Sequence, residues 1–412
     1  MTKENIIQLK YLTKIPITTG ASKEGLEYDS NKTRYIRISD FDKNGRIKPE
    51  NKVSIENCDA QDYLLADGDI LAAVTGGTVG KTMIFNSKDV IGDAAYAGYL
   101  ARIRTNENLN NKYLYYMMNC PYFDRFRGEN INKSTIENIS VSKYKSFPVL
   151  MIDYEKQEKI VSFLDERINI IDELISNMDL QILDLEKNKY ATITKCCFLG
   201  LDAQQIVDND VPYIKKISSD FEICKIGQMF EIKKDIIGQE PDVVLSITQK
   251  GIVIKDIKSN EGQQAESYSS YQIVNVGDFA MNHMDLLTGW IDISNYEGVT
   301  SPDYRVFKIK NTMFNARYFL YVFQDYYKRR VFYGFGQGVS NYGRWRLPAN
   351  NFKNIYIPVP PIEKQKLIVK YLDEKCKAFD DLILLKKRKI QLFEEYKKSL
   401  IYEYVTGKKE VC

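Results

Sequence analysis

Apolar residues recur along two stretches of this chain with the period of a helix. In the first, Leu164, Ile168, Ile171, Ile175, Met178, Ile182 and Leu185 follow one another at steps of four and three. No Gly or Pro lies between Glu155 and Lys195. This is a heptad seam, and it predicts a long helix that packs on another helix. The second stretch repeats it with Leu372, Cys376, Phe379, Ile383, Ile390 and Phe393, with Lys386 at one seam position, and runs to about Tyr404, before Gly407. A charge in a seam weakens it but can fix register. Elsewhere the pattern shortens to alternation and predicts strands at Thr33–Ser39, Ile70–Val74, Tyr99–Arg104, Val243–Thr248 and Tyr304–Ile309, with single helices near 111–127 and 314–330. The fold class is α+β.

The two helical stretches are copies. Glu155-Lys156-Gln157 and the following Leu164-Asp165-Glu166 return as Glu363-Lys364-Gln365 and Leu372-Asp373-Glu374, 208 residues later. Upstream, Gly68-Asp69 returns as Gly277-Asp278 and Tyr113 as Tyr318. A duplication this regular governs the reading of the fold. The chain divides into a mixed segment at 1–150, a long helix at 151–199, a second mixed segment at 200–358 and a second long helix at 359–412. Residues 155–195 hold 6 Lys/Arg against 9 Asp/Glu, and residues 363–409 hold 13 against 8. Opposite signs favour pairing of the two helices with each other. An antiparallel pair would bring Cys412 back near Met1.

Composition narrows the function classes. The chain has 412 residues, 44% hydrophobic and 27% charged, with a formal net charge of +3. That excludes wholesale disorder and leaves nucleic-acid binding open. No apolar run approaches the ~18–20 residues of a membrane span, and the start lacks a signal-peptide core. Seven scattered Cys without a C-x-x-C pair fit a reducing cytoplasm and no structural zinc. One histidine, His283, rules out metal sites with two or more His and reads as incidental to a loop.

Thr75-Gly76-Gly77-Thr78-Val79-Gly80-Lys81-Thr82 misses the phosphate-binding loop pattern by one residue, and Lys81 onward reads as a strand, so a hairpin turn is expected. Thr75, Thr78 and Lys81 could still approach a phosphate there. The Gly-rich run from Gly334 to Gly343 lacks the context of an S-adenosylmethionine loop, and no Asn/Asp-Pro-Pro-Phe/Tyr tetrapeptide occurs. What remains is two polar, Arg-bearing loops. The first carries Arg125, Arg127, Asn130, Asn132 and Lys133; the second follows Arg329-Arg330 and carries Gln337, Ser340, Asn341, Arg344 and Arg346. Arg, Asn and Gln pair with base edges, while Lys and Ser suit phosphates, so these are the candidate DNA contacts. Trp345 should point away from Arg344 and Arg346 and anchor the strand.

The doubled x-E-K-Q-x-x-I-V-x-x-L-D-E start of each long helix resembles the specificity subunit of a type I restriction-modification system. Ile357-Pro-Val-Pro-Pro-Ile-Glu-Lys-Gln365, Gly68-Asp69-Ile70-Leu71 with Gly77-x-x-Gly80-Lys81, and Tyr35-Ile-Arg-Ile-Ser-Asp40 with Gly45-Arg-Ile carry the same resemblance. It spans essentially the whole chain. It departs at Phe147-Pro-Val-Leu-Met, a reduced proline motif, and at Val276, where the Gly-Asp motif has Asp in the first half. The resemblance implies two target recognition domains, 1–150 and 200–358, held apart by two conserved helices in an antiparallel coiled coil with pseudo-two-fold symmetry. Each domain would read one half of a split DNA sequence, with helix length setting the half-site spacing. The chain would be non-catalytic, hold no cofactor and be cytoplasmic. Modification subunits would bind it and supply S-adenosylmethionine chemistry; restriction subunits would add ATP- and Mg2+-dependent translocation and cleavage. The alternatives are a self-sufficient DNA methyltransferase or nuclease, a specificity subunit of a related methylation-based phage-defence system, and a coiled-coil protein with no nucleic-acid role.

Overall fold

The computed structural model describes residues 5–411, apart from 43, 44, 46, 132–136, 203, 257–264 and 339–344. Met1 and Cys412, whose proximity the antiparallel reading implies, lie outside the described residues. The chain forms two compact units, residues 1–180 with 386–412, and residues 181–385. The long helices, Tyr154–Leu199 and Ile362–Val405, each give one part to each unit.

In the first unit a four-stranded antiparallel sheet runs in the order Thr18–Thr19, Leu100–Ile103, Ile70–Ala73, Thr82–Ile84. Its central strand shows why the sequence there is apolar without a break. Ile70 and Ala72 face one hydrophobic cluster, and Leu71 and Ala73 face another. Successive side chains of a strand point to opposite faces, so a sheet covered on both sides needs apolar residues at every position. A second sheet pairs Leu26–Glu27, Val53–Ile55, Thr33–Ile36 and Ala94–Tyr96, the last two in parallel. Asn5–Gln8 pairs with Pro148–Met151, the strand that leads into the first long helix.

The second unit repeats this plan. Phe230–Lys233, Arg305–Ile309, Phe279–Met281 and Ile291–Ile293 form an antiparallel sheet in the same order. Glu222–Lys225 pairs with Tyr356–Val359, which leads into the second long helix.

The repeated Glu-Lys-Gln motif has a structural purpose in both copies. Gln157 is fully buried; its Oε1 accepts from the Asn110 amide at 2.8 Å, and its Nε2 donates to Asn108 O at 3.0 Å and Ile152 O at 2.9 Å. Gln365 accepts from the Asn315 amide at 2.9 Å and donates to Pro360 O at 2.8 Å. Asn110 and Asn315 in turn cap the helices Asn111–Met117 and Ala316–Lys328. Each capped helix then presents one tyrosine to the strand that leads into one long helix and to the last turn of the other. Tyr113 Oη donates to Leu150 O and Val405 O, each at 3.1 Å. Tyr318 Oη donates to Cys197 O at 2.8 Å and Pro358 O at 3.3 Å. The carbonyls of Cys197 and Val405 lie in the last turns of their helices, where no intrahelical donor remains. One turn on, Tyr116 bonds Asp165 and Tyr321 bonds Asp373.

Within each unit the two helix parts run antiparallel. In the first, Lys397 meets Asp172 at 2.6 Å, and the Phe163 and Tyr404 rings lie 4.5 Å apart. In the second, Lys189 meets Asp380 at 2.7 Å. Leu164, Ile168, Ile171, Ile175, Ile182, Leu372, Cys376 and Ile383 are buried. Met178, Leu185, Phe379, Ile390 and Phe393 are half-buried, as is Lys386.

Three local expectations are corrected. The helix near 111–127 is two helices, Asn111–Met117 and Pro121–Asn130, because Pro121 cannot continue the first but suits the first turn of the second. The strand expected over Thr33–Ser39 ends at Ile36, and Ile38–Asp40 is a 3-10 turn in which the Asp40 carboxylate accepts from the Arg37 amide. The strand expected from Val243 begins at Leu245.

Candidate nucleic-acid interface

The hairpin turn of the first unit joins Ile70–Ala73 to Thr82–Ile84. It sits between two strands, the context that excludes a phosphate-binding loop. Four of its backbone amides are already engaged: Gly76 N donates to Glu137 O at 3.1 Å, Val79 N to Gly76 O at 3.0 Å, Gly80 N to Ala73 O at 2.9 Å and Lys81 N to Thr78 O at 3.0 Å. Those four amides are therefore unavailable to a phosphate. Thr75, Thr78 and Lys81 are all exposed.

Helix Pro121–Asn130 lies against this turn. A Cβ on Gly80, which has φ +82°, would come within 2.3 Å of Arg127 Cδ, so only glycine lets the arginine stem cross there. Arg127 thus joins the three turn residues. Its partner Asp124 is 3.3 Å away and exposed, a weak restraint. Arg125 is exposed but sits about 200° round the helix from Arg127, so the two do not converge. Asn130 turns its amide back to Phe126 O at 2.9 Å. Asn132 and Lys133 lie outside the described residues.

In the second unit Gln337 and Arg346 face each other across a two-stranded hairpin. Ser340, Asn341 and Arg344 lie outside the described residues. Trp345 anchors the hairpin as the alternation suggests: its ring stacks on Tyr333 at 5.3 Å and its Nε1 donates to Tyr333 O at 2.6 Å. Gly336 makes room for it, since a Cβ there would meet the indole at 2.4 Å. Arg329 is used structurally, paired with Asp325 at 2.7 Å and donating to Tyr213 O.

Gln337 and Arg346 open onto a cavity of about 700 Å3, also lined by Lys233, Lys234, His283 and Arg305. Sequence reasoning missed the last two. His283, expected in a loop as an incidental residue, is 4% exposed, and its Nδ1 has no hydrogen-bond partner among the described residues. Arg305 is 5% exposed; Nη2 donates to Leu347 O at 2.7 Å, the guanidinium lies over the Phe352 ring, and Nη1 has no partner among the described residues. Burial, reinforced by Arg305 and Arg346, pushes the His283 imidazolium down to about 3. Burial likewise lowers Arg305 to about 10. Lys233 is paired with the buried Asp278 at 2.5 Å. The duplication could have flagged Arg305. It pairs with Met281, whereas in the first unit Ala72 pairs with the buried Ala101.

Among the described residues no group of three or more His, Cys, Asp or Glu could hold a metal, and no helix is long and apolar enough to cross a membrane.

Comparison with known proteins bears on what such a doubled module does. Residues 4–183 and 218–395 match the family described as "Type I restriction modification DNA specificity domain". The chain is 24% identical, over 95% of its length and 89% of the relative's, to a Methanocaldococcus jannaschii protein described as a type I restriction enzyme MjaX specificity subunit. It resembles a solved chain from work on complex assembly and conformational transition of the type I R-M system, with a TM-score of 0.70, 13% identity and 98% of each chain covered. A crystal structure of the HsdS subunit from Thermoanaerobacter tengcongensis aligns over 99% of this chain and 97% of that one, at 13% identity and a TM-score of 0.48.

Proposed function

The chain belongs to the type I restriction modification DNA specificity family, as a specificity subunit with two DNA specificity domains, and from that premise we propose that each domain reads one half of a split DNA sequence. The observation that carries this is the doubled module. The same sheet order, the same buried glutamine and the same tyrosine link occur twice, and each unit adds its own cation-bearing hairpin, with Lys81 in one and Arg346 in the other. Two independent readers on one chain suit a bipartite target, as paired DNA-binding modules suit paired half-sites.

In this reading Thr75, Thr78 and Lys81 touch phosphates in the first half-site. Arg127 stands beside them, and Gln337 and Arg346 serve the second half-site. Phosphate contacts fix register, and base contacts carry sequence. The chain performs no chemistry. Modification subunits bound to it supply S-adenosylmethionine-dependent methylation of adenine, and restriction subunits with ATP and Mg2+ supply translocation and cleavage, in the cytoplasm.

Methylated-adenine mapping of the host genome with and without this gene tests the reading. A split motif should lose its methylation in the deletion strain. An unchanged methylation pattern would refute it.

A further inference from the structure

The cavity of the second unit holds an imbalance of charge. Arg, Lys and their kind are almost never fully buried unless paired. Arg305 is buried with Nη1 unpartnered, and His283 is buried beside it with Nδ1 unpartnered. Arg346 and the exposed Lys234 add two further cations. Lys233 is already neutralised by Asp278. Among the described residues no Asp or Glu lines the cavity. Gln337 and Tyr304 add polar groups to the lining.

This arrangement is not a by-product of the fold. The first unit builds the same sheet position with Ala101. Replacing a buried alanine by a buried, half-satisfied arginine disfavours folding unless a ligand compensates it. A buried group whose hydrogen-bonding capacity is left open, beside a cavity, marks a binding site.

We propose that this cavity is a phosphate site, in which Arg305, Arg346 and His283 receive a phosphoryl group. Several cations with no acid among the described lining residues fit a compact tetrahedral oxyanion, and arginine's fork suits it bidentately. The phosphate comes either from the DNA backbone, in which case the site rests on the DNA reading above, or from free phosphate in solution.

The full-length chain is used for the test, as wild type and as Arg305→Met, Arg346→Met and Lys234→Met. Arg346 and Lys234 are exposed, so those two variants keep the fold even where Arg305→Met does not. The first arm titrates inorganic phosphate at constant ionic strength and follows thermal stability. The second measures affinity for duplexes bearing the mapped target or a scrambled sequence across salt concentrations. For a backbone phosphate, Arg346→Met weakens both duplexes alike, by about tenfold. The salt slope falls by about one, and a methylphosphonate at one position reproduces the loss without adding to it. For free phosphate, wild type gains stability on titration, the variants do not, and duplex affinity is unchanged. Either result supports the site. A loss confined to one base pair of the target would make the cavity a base reader and overturn the phosphate assignment. So would variants that match wild type in both arms. Failure of wild type to bind any duplex would sink the DNA reading, while the phosphate titration would still decide the site.

Discussion

Replacing Gln157 with Met keeps side-chain length and removes every hydrogen bond the amide makes. Three bonds are lost, at 2.8, 3.0 and 2.9 Å, and the Asn110 amide and the carbonyls of Asn108 and Ile152 are left facing an apolar side chain. A net value of about 1 kcal/mol per buried bond gives a loss of about 3 kcal/mol. Gln365→Met loses two bonds, at 2.9 and 2.8 Å, so it should cost about 2 kcal/mol on the same scale. The sites share no partner, and their losses should add. Urea unfolding of the full chain measures the cost, with the exposed Glu158→Met as control. Hydrogen exchange at the Asn110 and Asn315 amides assigns each loss to its unit. A cost below about 0.5 kcal/mol, the range of ordinary surface changes, or unchanged protection of those amides, would refute the role given to the repeated motif.

Two further outcomes follow from the same packing. Ile171→Asp with Ile175→Asp places carboxylates in a buried seam that belongs to one hydrophobic cluster with Leu400 and Ile401, and should cost several kcal/mol by thermal unfolding; a shift within error would show that the seam is not buried. His283 is held near 3 in the fold against 6.5 unfolded. The unfolded state therefore binds the extra proton between those values, so stability falls as pH drops through that window, by about 2 kcal/mol at pH 5. His283→Gln should remove that part of the acid sensitivity, and an identical pH profile would contradict the burial of this imidazole.

The long helices were legible because their seam spans many turns without Gly or Pro, and local pattern suffices for such an element. The repeated Gln157 and Gln365 were visible as a motif but not as a lock, since their partners Asn110 and Asn315 lie 47 and 50 residues away. Pro121 held the break in helix 111–127 in plain view. The hairpin at 75–82 followed from its misfit to the phosphate-loop spacing and from the strand after it. Arg127 could be named, but its approach to Gly80 depends on tertiary packing. His283 and Arg305 escaped because a lone histidine and a strand arginine carry no local signal. Their meaning arises only where the strand Arg305–Ile309 meets the hairpin with Arg346.

The central claim is that two separate domains read two halves of one target. It is tested most directly by exchanging residues 1–150 for the corresponding region of a relative with a different known target. Methylated-adenine sequencing of the host genome then reads the new motif. The account predicts that one half of the split sequence changes and the other stays as it was; a motif in which both halves change, or neither does, would contradict it.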